Sequence, residues 1–152
     1  MLCAVLSACA PKSGAPPSAS RNTVNELNLL GLPVAVNLDD RPGADGVVMK
    51  LFAANRANPR TLPIRSGTLE IAAYPGTPSL TALPPPFHLW TFSPAELVPH
   101  EFTTALGTGY SLVLNWMPKL LPSDRVTVIA RYLPADGNPV TSAPNSITAA
   151  AY

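Results

Sequence analysis

Asp124-Arg125-Val126-Thr127-Val128-Ile129-Ala130-Arg131-Tyr132 is the clearest periodic stretch in the chain. Val126, Val128, Ala130 and Tyr132 fall on one side, and Arg125, Thr127, Ile129 and Arg131 on the other. Successive side chains of a strand point to opposite faces, so alternation with period two reads as a half-buried strand. Working outward, the pattern recurs. Residues 110–116 place Tyr110, Leu112, Leu114 and Trp116 against Ser111, Val113 and Asn115. Residues 68–74 place Leu69, Ile71 and Ala73 inward and Thr68, Glu70 and Ala72 outward. Residues 47–54 place Val47, Met49, Leu51 and Ala53 on one face and Val48, Lys50 and Phe52 on the other. Residues 34–38 predict a further strand with Val34, Val36 and Leu38 inward. Residues 87–92 make a short aromatic strand with His88, Trp90 and Phe92 on one side. Residues 140–149 predict a weaker last strand, and Pro144 assigns it to a sheet edge.

The punctuation agrees. Gly, Pro, Asp and Asn cluster at 40–46, 55–66, 75–86 and 134–139. Ser93-Pro94-Ala95-Glu96 is a capping box with proline at the first helical position, and Pro99 limits that helix to one turn. About seven strands, one helical turn and no long amphipathic helix define an all-β class. An antiparallel β-sandwich, immunoglobulin-like or transthyretin-like, is the expected architecture. Tyr110, after Gly107-Thr108-Gly109, is read either as a tyrosine corner or as an ordinary buried strand tyrosine.

Composition bounds the function. The chain has 152 residues, 12% charged and 47% hydrophobic, with 19 prolines. A charged share near half the usual quarter, with abundant proline, suits a compact, loop-rich domain. The net charge of +1 gives no global attraction for nucleic acid or an acidic surface.

The N-terminus carries a location signal. Leu6-Ser7-Ala8-Cys9 closes an apolar run and resembles the lipobox of bacterial lipoproteins. That resemblance implies cleavage before Cys9, acylation of Cys9 and export. Residues 1–8 then read as the remnant of a signal peptide, truncated because no Lys or Arg precedes Cys9. Residues 9–28 read as a lipidated cysteine and a disordered Pro/Ser-rich tether, spanning on the order of 60 Å when extended. Residues 29–152 read as the sandwich. Cys3 and Cys9 are the two cysteines, so no disulfide is expected in the domain. The expected setting is the bacterial cell envelope, with membrane attachment through the lipid and the domain facing periplasm or exterior.

Chemistry is sparse. His88 and His100 are the two histidines, and His100-Glu101 fails the zinc-protease spacing because Thr104 occupies the fifth position. No Gly-x-Ser-x-Gly turn or phosphate-binding glycine loop is present. Asp39, Asp40 and Asp45 bracket a turn. They suit either backbone hydrogen bonding or Ca²⁺, a cation that prefers oxygen ligands. No metal or other cofactor is expected. Arg56, Arg60 and Arg65 occupy one polar loop and read either as a solvated loop face or as a candidate binding loop for an anionic partner such as a lipid headgroup or glycan; an envelope protein or a glycan is the expected partner. The leading expectation is a lipid-anchored, non-enzymatic binding or structural module.

Two alternatives stand beside it. Val47-Val48-Met49-Lys50-Leu51-Phe52, after Asn37-Leu38-Asp39-Asp40, resembles the outer-membrane lipoprotein of type VI secretion systems, as does Val128-Ile129-Ala130-Arg131-Tyr132. That resemblance implies a transthyretin-like sandwich and an assembly role, with a loop contacting an inner-membrane partner. The other alternative is a glycan-acting enzyme using Glu70, Glu96 or Glu101, since glycoside hydrolysis needs two facing carboxyl groups.

Overall fold

The computed structural model describes residues 23–39, 41–116 and 123–149. Cys9, the rest of the lipobox-like stretch Leu6-Ser7-Ala8-Cys9 and most of the assigned tether lie outside them, as does Asp40. Within them the chain forms two open, largely antiparallel sheets that enclose one apolar core, an all-β sandwich.

Sheet A contains β1 (Glu26–Gly31), β2 (Gly46–Asn55), β3 (Asn58–Leu62), β7 (Gly107–Asn115) and β6 (Glu101–Thr104). β2 pairs with β1 on one side and with β7 on the other, and β6 closes the far edge. β3 is a short hairpin continuation that fits between the ends of β2 and β7. Sheet B runs β10 (Asn145–Thr148), β8 (Arg125–Leu133), β4 (Thr68–Pro75) and β5 (His88–Phe92), with β9 (Val140–Thr141) also on β8.

The inward sets are those that alternation selects. Val47, Met49, Leu51 and Ala53 are fully buried, as are Leu69, Ile71 and Ala73. Tyr110, Leu112 and Leu114 meet them from β7, Trp116 from just beyond its end, and Val126, Val128 and Ala130 from β8. Trp90 spans the layers: its Nε1 donates to the Asn115 carbonyl at 2.9 Å, and its ring lies 6.4 Å from Trp116. The turn α1 (Pro94–Leu97) carries the capping box, with the Ser93 hydroxyl accepting from Glu96 N–H and the Glu96 carboxylate accepting from Ser93 N–H. α1 buries Leu97 and leads through a 3-10 turn, Val98–His100, into β6. Pro144 separates β9 from β10 at the sheet edge, as expected.

Four features correct the sequence reading. First, β1 begins inside the stretch assigned to the tether. Leu27 and Leu29 point inward and Glu26, Asn28 and Leu30 outward, and Val24 is already buried. Second, residues 34–38 are not a regular strand. Val34 pairs with Thr148 in one sheet and Val36 with Gly46 in the other. The segment bridges the layers, so Ala35 is buried while Val34 is 40% exposed. Third, β3 is a strand where a loop was expected, and β6 is a strand in a segment to which the sequence reading assigned no element. Each is short and is held by its neighbour: Ala53 pairs with Leu62, and Gly109 with Phe102. Fourth, Thr127 and Ile129, expected outside, are buried. The connection from β4 to β5 folds over that face, and the Thr127 hydroxyl donates to the Gly76 carbonyl at 2.7 Å.

Candidate functional site

The three arginines of the expected loop do not share one surface. The β2–β3 hairpin divides them. Arg56 sits in its turn, where its backbone N–H donates to Asn25 Oδ1 at 2.8 Å and its Nε lies 3.7 Å from Glu26 Oε2. Arg60 lies in β3, its N–H donating to Asn58 Oδ1 at 3.2 Å. Arg65 follows β3 and forms a two-point contact with Glu101 at the start of β6. Its Nη1 meets Oε1, and its Nη2 meets Oε2 at 3.2 Å. The hydrogen bond to Glu101 holds the Arg65 proton above the ordinary arginine range.

Beside Arg65 the sandwich opens at one end. A cleft of 560 Å³ separates the β3–β4 connection from the turn after β8, lined by Val24, Leu62, Pro63, Arg65, Tyr132 and Asp136. Two tyrosines brace it. The Tyr132 hydroxyl donates to the Ser66 carbonyl at 3.0 Å, and the Tyr110 hydroxyl accepts from Ile64 N–H at 2.6 Å. Ile64 is 46 positions before Tyr110 in the chain, so Tyr110 ties two strands' ends together and is not a local corner. Burial pushes its hydroxyl above the ordinary tyrosine range, partly opposed by the Ile64 N–H.

Arg56 borders a different depression, on the outer face of sheet A. This groove of 420 Å³ is lined by Glu26, Asn28, Leu30, Phe52, Ala54, Asn55, Arg56, Asn58, Thr61 and Leu106. Alternation in β1 and β2 delivers Asn28, Leu30, Phe52 and Ala54 to the same side, because Asn28 pairs with Phe52 and Glu26 with Ala54. The polar members are held in place. Asn28 Nδ2 donates to Glu26 Oε1 at 3.3 Å, and Glu26 also faces Arg56. Phe52 meets Phe102 edge to face at 5.7 Å. Gly109 lies beneath both rings; a Cβ there would stand 2.6 Å from Phe102 and 2.7 Å from Phe52. Lys50 Nζ covers the Phe102 ring at 5.5 Å, which leaves Phe52 as the aromatic member of the groove.

Other singled-out residues have local roles. Asp45 is fully buried, and its Oδ1 accepts from Leu38 N–H at 2.6 Å. Asp39 Oδ1 accepts from Arg41 N–H at 2.8 Å. These are backbone-capping geometries of a tight loop. Among the described residues no three His, Cys, Asp or Glu side chains come together to hold a metal ion. His88 stacks near Trp90 at 4.5 Å, and His100 meets Phe92 at 6.1 Å. Glu101 belongs to a strand rather than to a helix of the zinc-protease type. The three candidate acids lie on β4, α1 and β6. Glu96 is held below the usual carboxylate range by the Ser93 N–H and then by its hydroxyl. No helix among the described residues is long and apolar enough to cross a membrane.

Sequence reasoning named Arg56 but missed Asn28, Leu30 and Phe52 as its neighbours. Alternation identifies Phe52 as outward-facing; the β1–β2 register is needed to set Asn28 beside it. No protein-family model, curated protein or solved structure matches this chain.

Proposed function

We propose that this chain is a lipid-anchored protein of the bacterial cell envelope whose immunoglobulin-like domain binds a glycan strand, without catalysis, through the groove on sheet A. The fold reading rests on strand order. Taking β1, β2, β4, β5, β6, β7, β8 and β10 as strands A, B, C, C′, D, E, F and G, the sheets read A-B-E-D and C′-C-F-G. With β3 and β9 left aside, that order matches the arrangement of immunoglobulin sandwiches and supports the immunoglobulin-like reading. The anchor reading rests on Leu6-Ser7-Ala8-Cys9.

The observation that carries the binding reading is the company Arg56 keeps. One groove sets Phe52 and Leu30 beside the amides of Asn28 and Asn58, the carboxylate of Glu26 and the guanidinium of Arg56. A pyranose ring has an apolar C–H face and a rim of hydroxyls that donate and accept. An aromatic ring suits the first, and amide and charged groups suit the second. Few, fixed polar groups around an apolar floor are typical of ligand sites.

Two experiments test the proposal. Palmitate labelling of the protein expressed in bacteria is expected to disappear in Cys9→Ser, and unchanged labelling overturns the anchor. Purified peptidoglycan sacculi are expected to carry the protein into the pellet, with Phe52→Ala and Arg56→Ala each reducing that fraction severalfold while the β circular-dichroism spectrum is retained. Wild-type protein that stays in the supernatant overturns the glycan reading.

A further inference from the structure

The outer face of sheet B holds a second depression, of 520 Å³, unconnected with the glycan groove. Its floor is Ala72 and Ile129, which are 9% and 5% exposed. One wall is apolar and faces solvent: Leu80, Leu83 and Leu89 come from the β4–β5 connection and from β5. Concentrated exposure of large aliphatic side chains around a concave floor marks an interaction surface.

The charges say what kind of surface fits. Glu70 on β4 and Arg131 on β8 sit directly opposite each other in the antiparallel register, and both line the depression. No ion pair within 4.0 Å joins them to each other or to any described residue. A partner of one sign would leave one of the two charges desolvated and uncompensated, which is costly. A fitting partner carries both signs at the spacing of neighbouring strands, about 4.8 Å.

This face is itself such a surface. A half-turn about an axis along the strands, between β4 and β8, exchanges the two positions. Glu70 of each copy then meets Arg131 of the other. The leucine wall of each copy comes over the far flank of the other, at β8 and β9. We infer that the part of the outer face of sheet B left open beside the β4–β5 connection, around Glu70, Arg131 and the leucine wall, is the docking surface for a second copy of this chain, forming an isologous dimer.

The test is sedimentation equilibrium of the full chain in reducing buffer, with Cys9→Ser in every sample so that no acyl chain drives association. A concentration-dependent dimer is expected. Glu70→Arg and Arg131→Glu are each expected to weaken it by roughly tenfold or more, because like charges are then opposed across the interface. The double variant E70R/R131E is expected to dimerise again, since the swap restores opposite signs. Leu89→Asp is expected to abolish the dimer by charging the wall. A wild-type protein that remains monomeric, single variants that dimerise normally, or a double variant no better than the singles overturns the proposal. Phe52→Ala is expected to leave the dimer intact, so failure of the glycan reading and failure of this one are separable.

Discussion

The two outer faces of the sandwich are built from the same kind of strand and end in different states. On sheet A the outward residues stay open: Val113 is 57% exposed and Leu30 is 56% exposed. On sheet B the corresponding positions of the central strands, Ala72 on β4 and Thr127 and Ile129 on β8, are buried. The strands do not cause this difference. The β2–β3 hairpin turns tightly and leaves its sheet bare, whereas the long proline-rich connection between β4 and β5 folds back over its own. An outward position in a strand is therefore solvent-facing only when no connection crosses it.

Substitutions on the two faces should separate these states. The largest effect is expected at Ile129→Ala, which removes a buried side chain beneath the connection. It should cost about 2–4 kcal/mol in urea unfolding. A cost within the range of ordinary surface changes, about 0.5 kcal/mol, would mean that the connection does not cover sheet B in solution.

Gly109→Ala comes next. Its Cβ has no room beneath Phe52 and Phe102, and overpacking of this kind costs about 1–3 kcal/mol. The two rings sit at an open face and have somewhere to move, which places the cost at the low end of that range. Loss of the edge-to-face contact should also alter the near-ultraviolet circular dichroism.

Ser93→Ala tests the crossing from sheet B to sheet A. Losing the cap is expected to cost about 1 kcal/mol at neutral pH. The pH dependence has a definite sign. Because the folded state lowers the Glu96 pKa, its contribution is present above the ordinary glutamate value and fades as pH falls through the folded one. The gap in stability between wild type and S93A should therefore narrow on acidification; a gap that widens contradicts the capping box.

The smallest effect belongs to Val113→Ala, on the open face. A stability change within about 0.5 kcal/mol is expected. A larger loss would mean that sheet A is covered as sheet B is.

Much of the sandwich was legible in residues. Alternation selected the buried face of β2, β4, β7 and β8, and Ser93-Pro94-Ala95-Glu96 announced its own turn. The misses share a cause. β3 and β6 are too short to show a period, and they exist because Leu62 and Phe102 find partners on strands distant in sequence. Residues 34–38 do show a period, yet they are drawn to two sheets at once, and the burial of Ala35 follows from that bridging. Arg56, Arg60 and Arg65 looked like one loop because they are close in sequence. A hairpin between them sends Arg56 to the groove and Arg65 to the end cleft.

By itself, the sequence determined the all-β class, the inward face of each long strand and the single capped turn, because those depend on side-chain period and local hydrogen bonding. It also holds Leu6-Ser7-Ala8-Cys9, the stretch on which the proposed anchor rests, whose resemblance to a lipobox belongs to the residues and not to the fold. Tertiary structure alone decided the strand order, the covering of one outer face and the exposure of the other. It also brought Phe52 together with Asn28 and Arg56, and Glu70 with Arg131. Cross-strand neighbours are set by register between segments far apart in the chain, and that register follows from packing the two layers together.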